Sequence, residues 1–404
     1  MIPEASMPSK NTTPSAPHHI HLTVHCDDQP VIGALVGTHM DWWHADPKQR
    51  PKHAEPGLTI TLPDNAPPLH TDDVGQVMIA GDDIFYEGFP DDKAQGLVVI
   101  DGDTAYGAIL SVHRSDLGSS IAVTLTPLCT VTGSIASDDL EQLGTKIGWT
   151  NVVASKGDAS IAQSQSLKGC FTLCLPTGSY SLFAYGQRVD WGKASIRIRR
   201  GQRTKRMHIH LPAKRLEFLR HHQAPELTQI KAWSDQPLTI SSLRGRVVLL
   251  YFWGHWCGPC VRNMPNVIDL HERYAQHGLT IIAIHDDSVA GFGELEQHCQ
   301  EPQRRFWGQR ELPFAVAIDG GGRCSLAQSS APSCTGGRCT IAPERTTQGA
   351  THARYGITSH PTAILIDQAG SVVGEVDVYE QERTAARIAS LLDCEQTKAD
   401  AVRE

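Results

Sequence analysis

Cys257 and Cys260 are separated by two residues and follow an unbroken apolar run from Val247 to Trp253. A thiol pair at this spacing can cycle between dithiol and disulfide. The apolar run, bounded by Gly254, reads as a strand buried on both faces, as in a parallel sheet. It delivers the cysteines onto a helix predicted from Cys257 to about His277, with Gly278 as its stop signal. Pro265 falls inside that helix and predicts a kink. At the helix N-terminus, unpaired N–H groups and the dipole favour a thiolate at Cys257. Pro259 suits the first turn, where a missing N–H costs no bond. The expected cycle has an exposed Cys257 attacking a disulfide and a buried Cys260 resolving the mixed disulfide. The competing reading is one half of a structural zinc site. That needs a second ligand pair and usually a small ribbon in place of a long buried strand.

Phe252-Trp253-x-x-Trp256-Cys257-Gly258-Pro259-Cys260, with Pro265, resembles the thioredoxin superfamily. Ala224-Pro225-Glu226-Leu227 and Leu238 to Arg246 are similar to its TlpA-like branch of thiol–disulfide oxidoreductases. The resemblance covers about residues 223–393. It implies a thioredoxin-like α/β domain whose Trp256, Gly258 and Pro259 shape the site. It implies a cis bond before Pro361 in Ser359-His360-Pro361-Thr362, with Pro361 facing the cysteines. Backbone beside such a proline can pair with an extended substrate. His360 is expected near Cys257, where a cationic ring would stabilise the thiolate; an inert contact is the alternative. Tyr251 stands where cytosolic thioredoxins carry a buried carboxylate. Asp286 and Asp287 are therefore the candidate proton acceptors for Cys260. The Gly258-Pro259 spacer implies a reductant, at about −270 mV by analogy. The implied partners are a disulfide-containing protein substrate and a dithiol electron donor, and no cofactor is expected. A thiol peroxidase, the related chemistry, is disfavoured because no Pro-x-x-x-Thr-x-x-Cys pattern occurs.

At 404 residues the chain is too long for one such unit. Apolar and charged fractions of 40% and 20% are those of a soluble globular protein. A net charge of −8 argues against a nucleic-acid partner. No apolar run reaches the ~18 residues of a membrane span. Residues 1–17 read as a disordered tail without a signal-peptide h-region. The resembling family is usually extracytoplasmic, while eleven cysteines suit either a reducing or an oxidising compartment.

Before the redox domain the predicted elements are strands: His19–His25, Val31–Val36, Gly75–Ile79, Gly96–Ile100, Tyr106–Val112 and Ile121–Leu125. Residues 18–127 are expected to form a β-sandwich-like module. A second, at 128–212, opens with Cys129–Ile135. It continues through a strand, a tight turn and a strand at 169–185, and closes with Met207–Leu211. Val131-Thr132-Gly133 and Leu175-Pro176-Thr177-Gly178-Ser179-Tyr180 resemble carboxypeptidase regulatory-like domains. Gly75-x-Val77-x-Ile79 and Gly169-x-Phe171-x-Leu173 hint at a tandem repeat. Cys170 and Cys174 lie about 13 Å apart along a strand, too far to bridge. A binding or scaffold role, with the sandwiches holding a partner or glycan, is the second function class.

The redox domain is expected over 223–394, with strands Leu279–Ile284, Phe314–Asp319 and Val372–Val376. Helices are expected over Phe292–Gln300 and Gln381–Leu392, and a tail over 395–404. An insertion at 320–349 holds Cys324, Cys334 and Cys339. A local disulfide or free thiols are favoured there over a metal site completed by His352. His18, His19, His21 and His25 with Cys26 are read as solvated strand histidines in preference to metal ligands. Trp42 and Trp43 are read as core, and His298-x-x-Glu301 as a chance zinc pattern.

Overall fold

The computed structural model describes residues 19–38, 69–85, 89–101, 106–326 and 346–401, with side chains as far as 393. The chain divides into two units, residues 1–138 with 145–211 and residues 139–144 with 212–404.

The first unit is built of mostly antiparallel sheets. Strand His19–Cys26 turns His19 and His21 to solvent and buries Ile20, Leu22 and Val24, as its alternation dictates. Asp27 and Asp28 take φ of 47° and 61°, the geometry that matches a two-residue turn to strand twist. This strand pairs antiparallel with Gln76–Ala80 and parallel with Ser120–Thr124. A facing sheet runs Leu69–His70, Leu35–Thr38, Gln95–Ile100, Tyr106–Val112, Thr126–Pro127. Leu22 and Val24 from one sheet and Val36, Leu97 and Val99 from the other share one core.

The same wiring recurs downstream. Cys129–Ala136 pairs antiparallel with Cys170–Leu175 and parallel with Thr204–His210. The companion sheet runs Ala159–Ser166, Thr150–Lys156, Gly178–Gly186, Gly192–Ile198. Gly75 and Gly169 hold equivalent places, each just before the antiparallel strand. Their φ values are 74° and 75°, and a Cβ would lie 2.8 Å from the Val24 oxygen and 2.9 Å from the Ile135 oxygen. Only glycine fits both demands.

The strand–turn–strand at 169–185 is not a hairpin. Cys170–Leu175 joins one sheet and Gly178–Gly186 the other, so Pro176 and Thr177 carry the chain between layers. The Tyr180 hydroxyl donates to the Pro176 oxygen at 2.8 Å and pins this crossing. Cys170 and Cys174 are both free thiols.

The second unit centres on a six-stranded sheet: Ala232–Trp233, Ala315–Ile318, Leu279–His285, Val247–Trp253, Thr362–Ile366, Val372–Val376. The strand before the cysteines lies third from one edge, parallel to Leu279–His285 and antiparallel to Thr362–Ile366. Both its faces are covered. Val247, Leu249, Tyr251 and Trp253 share a core with Cys257, Cys260 and Met264, and Val248, Leu250 and Phe252 pack on the other side. The order and directions are those of a thioredoxin-like α/β domain.

The cysteine helix spans Gly258–Tyr274 and tightens to a 3-10 turn, Ala275–His277, before Gly278 caps it at φ 109°. Pro265 cannot donate to the Val261 oxygen, one turn back. The Trp307 indole supplies that bond instead, at 2.8 Å. The helix expected at Phe292–Gln300 extends to Arg305, and the last helix runs Gln381–Ala401 with Ile388 buried. No helix of the described residues is long and apolar enough to cross a membrane. Arg323–Ser325 pairs with Thr346–Gln348 at the neck of the insertion. Cys324 there is a free thiol. His18, Trp42, Trp43, Cys334 and Cys339 lie outside the described residues.

Candidate functional site

Cys257 is the N-cap of the helix, and its sulfur accepts the Cys260 backbone N–H at 3.2 Å. A sulfur held this way meets the positive end of the helix. The two cysteines form a disulfide with Cα atoms 5.2 Å apart. Cys257 is 5% exposed and Cys260 0%. The order is the expected one, but Cys257 here is a buried half of a disulfide and not an exposed thiol. Gly258 and Pro259 occupy the first turn, and the Pro259 oxygen accepts the Tyr379 hydroxyl at 2.9 Å.

Trp256 lies 56% exposed beside the pair. A Cβ on Gly254 would come within 2.6 Å of the Trp256 indole nitrogen, so glycine is what lets the ring fold back there. That nitrogen donates to Asp286 Oδ2 at 3.0 Å. Asp286 is 2% exposed and accepts a second bond from the Ser288 hydroxyl. The structure therefore separates the two candidate acceptors. Asp287 is spent on an ion pair with Lys231 and on the Gly322 N–H. Asp286 alone is tied to the ring beside Cys257.

The His360–Pro361 peptide is cis. The His360 ring stands edge-on to Trp256, with centroids 5.4 Å apart, and 5.2 Å from the His352 ring. Burial, with His352 adding and Asp286 opposing, pushes its pKa down to about 3. That direction favours a neutral imidazole, the inert contact, over a cation at this position. Desolvation wins because neighbouring histidines add repulsion where one carboxylate offers attraction. Tyr251, fully buried, donates its hydroxyl to the Cys260 oxygen at 3.2 Å. Burial raises its pKa, so it is a fixed donor rather than a proton acceptor.

Several residues that sequence reasoning passed over crowd the same corner. His285, fully buried, bonds the Asp286 carbonyl through Nδ1 at 2.9 Å. Its Nε2 accepts the His255 backbone N–H at 2.9 Å. Burial pushes its pKa down to about 4 against the opposing bond and charge of Asp286. His255 stacks on His285 and on His298, with centroids 5.3 and 4.0 Å apart, and burial lowers its pKa too. His352, the residue named with the insertion cysteines, is fully buried. Its Nδ1 meets the buried Asp319 carboxylate at 2.8 Å, which also takes backbone N–H groups of Gly320, Thr351 and His352. His298 pairs with Glu294 at 3.8 Å. Among the described residues no group of three or more His, Cys, Asp or Glu side chains is arranged to hold a metal. One signal pointed here: Trp253, His285 and Asp319 end or follow three adjacent strands at their carboxyl ends, where α/β sheets place their sites.

Residues 221–375 match the AhpC/TSA family. A thiol–disulfide oxidoreductase, ResA, from Bacillus thuringiensis subsp. konkukian is 28% identical over 139 residues, covering 34% of this chain and 59% of that protein. The chain thus spans less than two thirds of the length of this relative. The thioredoxin-like protein YneN of Bacillus subtilis is 25% identical over 165 residues, 40% of this chain and 75% of that one. A solved thiol-disulfide isomerase from Corynebacterium glutamicum is 22% identical, with a TM-score of 0.29, covering 42% of this chain and 96% of that chain. By sequence, residues 221–375 fall with the AhpC/TSA redoxins, homologous to thiol–disulfide oxidoreductases of the ResA and TlpA-like kind.

Proposed function

We propose that this protein is a thiol–disulfide oxidoreductase that reduces protein disulfides through Cys257 and Cys260. The observation that carries the reading is the Cys257 sulfur at the helix N-cap, bonded to the Cys260 N–H, with the ring before a cis proline edge-on to Trp256. In the reduced protein the same N–H and the helix dipole stabilise the Cys257 thiolate. The thiolate attacks one sulfur of the substrate disulfide, and the other sulfur leaves as a thiol after protonation. Cys260 then loses its proton and attacks Cys257, which releases the second substrate thiol. Trp256, Pro259 and Pro361 shape the surface on which the extended substrate segment lies. Asp286 is the acceptor for the Cys260 proton. A disulfide-containing protein and a dithiol donor are the two partners.

The test is trapping. Cys260→Ser stalls the cycle at the mixed disulfide, so it captures substrates from the native host, and Cys257→Ser captures none. Equal capture by both variants contradicts the roles.

In the first unit we read both sandwiches, over 18–127 and 128–212, as one kind of module. The second carries the turn that resembles carboxypeptidase regulatory-like domains. A binding role is supported by a row of rings: Trp149, Tyr185, Phe183 and Trp191 follow one another with centroids 5.7, 5.5 and 5.4 Å apart. Such a row can stack on a sugar or an extended chain. Deleting residues 18–212 then narrows the set of trapped substrates. An unchanged set removes the binding reading.

A further inference from the structure

We propose that His285 and His255 are the proton exit of the dithiol site, carrying to solvent the proton that Asp286 takes from Cys260. The proposal rests on the oxidoreductase reading above and adds a route to it.

Asp286 is 2% exposed and His285 0%, so a proton placed on this carboxylate needs a side chain to reach water. The exposed Ser288 hydroxyl on Oδ1 offers one path, and His285 offers another across its ring. Its Nδ1 lies 3.4 Å from Asp286 Oδ1, and its Nε2 lies 3.2 Å from His255 Nδ1. Each ring nitrogen therefore faces a different titratable group. His255 is half-buried, and its far side stacks on His298, whose side chain is 44% exposed. One imidazole thus bridges a buried carboxylate and a ring that reaches solvent. Neutral imidazoles serve this task, since each must take and give a proton in turn.

The step balances. On closure the Cys260 S–H bond breaks, the bond to the Cys257 sulfur forms, and the substrate sulfur leaves with the electron pair of the mixed disulfide. The proton goes to Asp286, then onto His285 Nδ1, while Nε2 releases one to His255. The backbone around the ring fixes its tautomer. The His255 backbone N–H can only donate, so His285 Nε2 accepts it and the ring proton sits on Nδ1. An outward transit leaves that form behind, and the structure holds the disulfide that closure makes. Re-reduction of the disulfide must return a proton to Cys260. Inward transit starts from this tautomer, with Nδ1 giving its proton to Asp286 and Nε2 taking one from His255.

The groups that face His285 are Asp286, His255, His352 and His360, with His298 and Glu294 behind His255. The test uses the reduced full chain and the chromogenic disulfide dithiobisnitrobenzoate. The first equivalent of thionitrobenzoate reports attack by Cys257 and the second reports closure by Cys260. His255→Phe keeps a ring in the stack but removes the acceptor. It is expected to leave the first phase unchanged and slow the second about a hundredfold, the lower end of acid–base effects, with recovery in added imidazole. Asp286→Asn slows the same phase, and the double variant is no slower than Asp286→Asn alone. His285→Gln gives the same result if it folds, and His255→Phe carries the test if it does not. Two outcomes overturn the exit: an unchanged second phase across pH 6 to 9, or both phases slowed together without imidazole rescue. A wild-type chain that never releases the second equivalent overturns the oxidoreductase reading, and the exit with it.

Discussion

A neutral imidazole edge-on to Trp256 lowers no thiol pKa by charge, which leaves the helix N-terminus and the Cys260 N–H for that task. His360→Thr should therefore leave the redox potential unchanged in glutathione-buffered titrations at pH 6 and pH 8. A shift at pH 6 that fades by pH 8 would restore a charged ring. After reduction, Cys257 should alkylate first, with a transition below the ordinary ~8.5 of a free thiol. Equal alkylation of both cysteines contradicts the assignment. Acid stability follows from the same rings. His285 and His360 fall from the ordinary 6.5 to about 4 and about 3 in the folded protein. Between those values and 6.5 the unfolded chain binds protons that the folded chain does not. Stability from these groups is complete above pH 6.5 and is lost as pH falls through that window. Melting of the second unit should drop between pH 6.5 and 4, and His360→Thr should make the drop shallower. Equal slopes in calorimetry would show that the ring is protonated in the fold.

At the level of elements, a proline in the cysteine helix and a distant indole answer each other. Val261 loses its donor to Pro265, and Trp307 replaces it. Trp307→Phe should cost about 1–3 kcal/mol for the unpaired buried oxygen, apart from any packing loss. In a Pro265→Ala background the restored N–H reaches the same oxygen, so the cost should shrink. Additive losses in denaturant titrations would show that the two do not communicate. The strand and helix around this pair were legible because periodicity, Gly278 and the cysteine spacing are all local signals. The histidine corner was not. His255, His285 and His352 come from three places in the chain and meet only because adjacent strands end together. Polar residues hid the strands Thr150–Lys156, Ala159–Ser166 and Gly192–Ile198. Gln163 and Ser164 are buried where the alternation rule expects apolar side chains.

Over the whole molecule, two units imply two responses to damage. Gly169→Ala puts a Cβ against the Ile135 oxygen at a positive φ, a cost of about 1–3 kcal/mol. Melting of the first unit should fall while insulin reduction by the second persists. Joint loss would mean that the units fold as one. The repeated wiring also raises a hazard of folding. Modules with one strand plan offer each other's strands as wrong partners while the chain is still open. Side-chain size discourages the exchange. In the first module Leu22 lies opposite Val77, and in the second Gly133 lies opposite Phe171. The Phe171 ring fills the space over Gly133, within 2.4 Å of where a Cβ would stand. A traded strand would set Phe171 against Leu22 and Val77 against bare backbone, one pair too large and the other too small. Each sheet pair should then prefer its own strand by volume, and a Gly133→Leu substitution should remove the preference together with the fit.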